Sequence, residues 1–220
     1  MNVSKCAALV LATACIVGGC SAAGAVKGSG TIKTEPREVN GFTGVELAGS
    51  AKLIVQQGET EGLTITADDN LLEHLTADVQ SSKLILGTKG RVPLEPTAPI
   101  TYTLSVKRLN TIGVSGDVSV DARDIHTDSL TVAVSGSANI SISGEAEAQK
   151  IAISGTADYK ADSFKTKDTS ISISGSGKAV IAASNRLDAE VSGSGDVQYI
   201  GNPDVTKNIT GSGIVKAWAQ

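Results

Sequence analysis

Aromatic residues are scarce. They make up 3% of the 220 positions, and Trp218 is the single tryptophan. Ordinary cores and deep ligand pockets lean on aromatic side chains. A chain this poor in them must build its interior from Val, Ile, Leu and Ala, which suits thin, regular β layers. Histidine is rarer still: His74 and His126 stand in no metal-ligand spacing, they read as solvated loop residues, and no metal or cofactor is expected. Positive charge is in deficit. A formal net charge of −4 disfavours nucleic acid and anionic membrane as partners. An almost unbroken apolar run, residues 6–17, is too short to span a bilayer as a permanent helix.

That run lies between Lys5 and the small residues Gly18 and Gly19, an order that reads as a secretory signal peptide over residues 1–19. Val17-Gly18-Gly19-Cys20 is similar to a bacterial lipobox. The similarity implies cleavage before Cys20 and acylation of its thiol and new amine, a membrane attachment through lipid. Ser21, where an Asp would favour inner-membrane retention, points to the outer membrane. Cys6 and Cys15 fall within the removed segment, so the mature chain would hold no disulfide, and its stability would come from packing alone. Residues 20–36, with Gly24, Gly28 and Gly30, read as a flexible tether.

The folded domain is expected over 37–220. Val45-Glu46-Leu47 and Lys52-Leu53-Ile54-Val55 flank Gly49-Ser50 as two strands around a turn. Residues 69–75 allow one helical turn, and 91–99, with Pro93, Pro96 and Pro99, read as a surface loop. From Ile112 onward the sequence repeats. An alternating strand ends in a Ser-Gly pair at Ser115-Gly116, Ser135-Gly136, Ser154-Gly155, Ser174-Gly175 and Ser192-Gly193, and in Thr210-Gly211. The anchor glycines are spaced 20, 19, 20, 18 and 18 residues apart.

A short strand with an apolar face cannot bury that face alone, but coils stacked in register make a continuous core. Glycine permits a sharp corner, and the serine hydroxyls are expected to satisfy turn backbone groups there. The period therefore predicts an all-β, right-handed parallel β-helix, a β-solenoid of 18–20-residue coils. An antiparallel sandwich of regular hairpins is the alternative.

The repeated Ser-Gly-Ser-Gly corners, Phe42-Thr43-Gly44-Val45-Glu46-Leu47, Asp68-Asp69-Asn70-Leu71-Leu72, and the run from Gly193 through Tyr199 to Pro203 resemble the head GIN domain family, the auto-transporter adhesin head domains. The resemblance covers about 37–216. It implies a β-helix-like fold, an envelope lipoprotein and an adhesive role, and it brings no catalytic residues. Ser115-Gly116-Asp117 departs from the longer corner form, which implies a tighter first turn.

Serines are many, but none sits in a nucleophile elbow. Asp158, Asp196 and Asn139 occupy equivalent positions after their corners, with Lys178 between, and would form a charged column. Paired carboxylates there could do acid–base work or hold calcium; a solvent-facing ladder is the plainer reading. The sequence thus points to a non-enzymatic envelope lipoprotein, a binding or adhesion module for a surface protein or glycan, with homo-oligomers possible. A carbohydrate-active β-helix enzyme and an envelope scaffold are the alternatives. Trp218 is the one large aromatic available to close the C-terminal end or dock a neighbouring subunit.

Overall fold

The computed structural model describes residues 24–90 and 92–218. The expected signal peptide, the lipobox with Cys20, Arg91 and positions 219 and 220 lie outside the described residues. Among those described, no helix is long and apolar enough to cross a membrane.

The fold is all-β. In chain order the strands are β1 (Val26–Lys27), β2 (Ile32–Arg37), β3 (Gly44–Gln57), β4 (Gly62–Asp68), β5 (Leu75–Gln80), β6 (Lys83–Thr88), β7 (Leu94–Glu95) and β8 (Thr101–Val106). Then come β9 (Thr111–Gly193), an 83-residue extended run, β10 (Asp196–Ile200), β11 (Asp204–Gly211) and β12 (Ile214–Ala217). One 3₁₀ turn, Leu72–His74, is the single helical element among the described residues.

The run β9 turns back at its glycines. Gly116, Gly136, Gly155, Gly175, Gly193 and Gly211 all have φ between +120° and +137°. Each lies against the glycine one coil before, so that a Cβ on Gly175 would collide with the Gly155 carbonyl oxygen. The column is thus glycine for two reasons, a backbone conformation costly for L side chains and an approach too close for any side chain. It also starts earlier than Ile112. Gly49, with φ +114°, pairs with Gly116, and β3 runs in parallel register with the first coil from Gly44↔Thr111 to Gln56↔Arg123. The expected turn at Gly49-Ser50 is the first rung of the ladder, separated from the second by the insertion 58–110.

That insertion departs from a uniformly parallel helix. β3, β9, β10, β11 and β12 pair parallel, as do β6 and β8 with β3. But β4 pairs antiparallel with both β8 and β2, and β5 with β6. The sheet is mixed, so a purely parallel coil stack over 37–220 does not describe it. The local cause is chain reversal: Ser81 and Ser82, at φ 49° and 59°, make a two-residue hairpin turn between β5 and β6. The chain segment read as tether also joins the fold, with β1 pairing with β7 and β2 forming the sheet's outer strand. Lys33, Glu35, Pro36 and Arg37 make β2 a poor template for further pairing.

The core follows the alternation. Ile112, Val114, Val118 and Val120 are buried in the first coil, and Ile151, Ile153, Ala157 and Tyr159 in the third. Each buried Val or Ile contributes roughly 1.5–3 kcal/mol. Two polar pairs are also inside. Gln149 Nε2 donates to Tyr159 Oη at 2.5 Å, and Thr166 and Thr169 join hydroxyls at 2.6 Å.

The C-terminal end is closed differently from the expectation. Counting from buried Val215, Trp218 takes an outward position and stays 38% exposed, its backbone N–H donating to Tyr199 O. The side chain reaching across the end is Lys207, whose Nζ donates to Val215 O at 2.7 Å.

Candidate binding surfaces

Three outer surfaces of the coil stack carry the residues singled out above. The first is built by the strand before each glycine corner. Val114, Val134, Ile153 and Ile173 point inward, so alternation turns Ser115, Ser135, Ser154, Ser174 and Ser192 outward. Beside them run Gly113, Ala133, Ala152 and Ser172. These short side chains floor a shallow groove of about 490 Å³, bounded at one end by Glu46, Ile85 and Leu86. The serine hydroxyls do not serve the corner backbone. All five side chains are exposed, and among the described residues none makes a hydrogen bond to protein. The physical reason is that the corner amides and carbonyls are already used between successive coils, as in Ser194 N→Gly175 O and Ser212 N→Gly193 O.

The second surface follows each corner and holds the charged column. Asp196 pairs in register with Lys178, and the 20-residue offset between Gly155 and Gly175 sets Asp158 beside Lys178 in turn. Lys178 therefore separates the two carboxylates. Asp158 instead pairs along its own strand with Lys160 at 3.1 Å, and Asp121 with Arg123 at 2.6 Å. The Arg123 hydrogen bond holds the Asp121 carboxyl below its ordinary value. Among the described residues no three His, Cys, Asp or Glu side chains gather as a metal site.

The third surface is a groove of about 700 Å³. It lies where the coils shorten. His126, Asp128, Glu145, Glu147, Lys165 and Lys167 come from the first three coils; Ala182, Ala183, Ser184, Ile200 and Gly201 come from the two 18-residue coils. The bonding shows the step. Thr166 Oγ1 donates to Ala182 O, 16 positions on, and Asn185 Nδ2 to Asp168 Oδ1, 17 positions back, against the 20-residue offset at the corner. The buried Thr166 hydroxyl thus satisfies the Ala182 carbonyl across the step between coils.

On the groove's rim, Lys167 pairs with Glu147 at 2.5 Å, which holds the ammonium above its ordinary value, and His126 Nδ1 lies 3.3 Å from Glu145. His126 is not a loop residue but part of the groove wall. His74 sits on the 3₁₀ turn, 3.9 Å from Glu73. Sequence reasoning missed this groove. Its only signal was the drop in glycine spacing from 20 to 18.

Comparison with known proteins agrees with this architecture. Residues 41–203 match the family model described as "Putative auto-transporter adhesin, head GIN domain". No curated protein matches the chain. Among solved structures, a "putative adhesin" from Bacteroides fragilis NCTC 9343 is similar at 20% identity and TM-score 0.69, covering 87% of this chain and 98% of that one. A second, from Parabacteroides merdae ATCC 43184, has 20% identity and TM-score 0.56, with 90% and 100% covered. A third, from Parabacteroides distasonis ATCC 8503, has 21% identity and TM-score 0.57, with 88% and 99% covered. At these identities the likeness is one of fold.

Proposed function

The chain belongs to the head GIN domain family, and on that premise we propose that it is a non-enzymatic binding or adhesion module of the bacterial cell envelope, held in the outer membrane by acylated Cys20. The observation that carries this reading is the outer surface of the coil stack. Ser115, Ser135, Ser154 and Ser174 present a column of hydroxyls without protein partners, on a backbone fixed by the glycine ladder. A rigid scaffold with regularly spaced, unspent polar groups suits recognition of an extended surface. The names of the similar solved structures support the same role. Two acyl chains and an amide-linked third would exceed what stable anchoring needs. We also read the coils as right-handed, supported by the crossover preference of parallel strands.

The reading is tested in the native envelope. Labelled palmitate should enter the wild type and not Cys20→Ser, and cross-linked pull-down of the wild type should recover a partner that the mislocalised variant loses. Equal labelling of both proteins would end the lipid-anchor reading, and an envelope in which nothing is recovered would count against the binding role.

A further inference from the structure

We propose that the stepped groove is a binding site for an uncharged oligosaccharide; this rests on the binding-module reading and assigns its site and ligand class. A volume of about 700 Å³ lies within the roughly 300–1,000 Å³ of small-ligand sites. Its polar groups are of both kinds. Carboxylate acceptors come from Asp128, Glu145 and Glu147, and donors from Lys165 and Lys167. Glu147 and Lys167 are spent on one another, and Glu145 is shared with His126. Asp128 and Lys165 take part in no ion pair among the described residues. One unspent acceptor and one unspent donor thus stand on the same wall.

A sugar hydroxyl donates and accepts at once, so a polyol can use both groups where an ion of either sign would be repelled by one of them. Three acids face two lysines, a slight negative excess that repels a polyanion and is too small to recruit a polycation, and this favours an uncharged ligand.

The floor supports the same choice. Ala146, Ala182, Ala183 and Gly201 let a flat ring approach the backbone closely. A peptide docking by strand addition needs an unpaired edge, and one docking by apolar anchors needs a pocket for each. This groove lies on a strand face, and its floor offers no such pocket. The floor's hydrogen bonding is also complete enough to be rigid: Ser184 Oγ donates to Thr166 O at 3.2 Å and Thr166 Oγ1 to Ala182 O at 2.8 Å.

The test uses the full-length, detergent-solubilised lipoprotein on three immobilised panels: uncharged oligosaccharides, uronate-bearing oligosaccharides and peptides. Lys165→Ala and Asp128→Ala remove the two free groups, and Lys33→Ala on the outer strand β2 is the control. All three positions are exposed. The expected result is binding to one or more uncharged oligosaccharides, weakened at least about tenfold by either groove variant and unchanged by Lys33→Ala, as loss of one hydrogen bond to a charged group implies. Oligosaccharide binding that both groove variants retain overturns the site and leaves the binding-module reading intact. Retention of only uronate-bearing sugars or only peptides overturns the ligand class. A wild type that binds no panel yet recovers a partner from the envelope also overturns this proposal alone; one that recovers nothing in either setting removes both.

Discussion

Lys207 stands in register with Ala189 of the preceding coil, and so occupies a position that points into the stack. Its ammonium bonds Val215 O across the open end, where another coil would otherwise stack. An inward-pointing charge on the last coil discourages a further strand from adding there. Exposed Ile209, Ile214 and Trp218 lie on this same last coil. Lys207→Leu should therefore self-associate, because the end becomes continuous apolar surface flanked by free strand edges. Light scattering of the full chain in a Cys20→Ser background would show a mass increase for Lys207→Leu and none for Lys207→Arg. An unchanged mass for the leucine variant would mean that Lys207 does not guard the end.

The glycine ladder gives a stability prediction. Gly175 has φ +137° and lies against the Gly155 backbone. Gly175→Val should lose roughly 1–3 kcal/mol from backbone strain alone, more where the coils are forced apart. Lys167→Ala breaks an exposed ion pair and should cost about 0–1 kcal/mol. Denaturant midpoints separate the two, and equal midpoints would contradict the ladder.

Alkaline pH should loosen the core. Burial pushes the Tyr102 phenol up to about 12 from an ordinary 10.0, with Arg37 opposing in part. Burial also raises Tyr159, against the hydrogen bond from Gln149. The fold holds these protons after an unfolded chain would release them. Stability is therefore full below pH 10 and falls as pH rises toward 12. Phenolate absorbance should appear together with loss of β signal. Titration of all tyrosines while the fold persists would contradict their burial.

Acid should act at Asp68. Asp68 accepts hydrogen bonds from Thr97 Oγ1, Thr97 N and Gly30 N, and the Thr97 hydroxyl above all holds its carboxyl below 3.8. These bonds tie residues 28–31 to the loop before β8. Their contribution is present above the ordinary carboxylate range and lost as pH falls through the lowered value. Amide protection at Gly30 and Thr97 should drop in that window before the coils respond. Asp68→Asn should show the drop at neutral pH, and unaltered protection in that variant would count against the tie.

Much of the coil stack could be read from the chain because one local rule recurs. Ser135-Gly136 and Ser174-Gly175 each demand a corner, and the alternation around them fixes which side chains go inside. Where a second interaction overrode the local rule, the reading stopped. Gly49 looked like a hairpin turn because its parallel partner, Gly116, lies 67 positions away. Ser81-Ser82 carries no Asn-Gly signature, so its two-residue turn and the antiparallel pairing it creates were invisible. Lys207 fits the polar pattern of a surface strand, and only its register with Ala189 reveals that it points inward. The serine column was legible as a column but not as an unspent one, since that depends on corner bonds made between coils. The groove depends on coil length, which a search for motifs does not weigh.

Site-specific photo-cross-linking in living cells tests whether this coil stack binds an envelope partner through its stepped groove. A diazirine side chain at position 167 on the groove rim is compared with one at position 33 on the outer strand β2, both exposed. A discrete adduct is expected from position 167, absent from position 33 and diminished by Asp128→Ala. Identical cross-linking from both positions, or none from either in an intact envelope, would contradict binding through the groove.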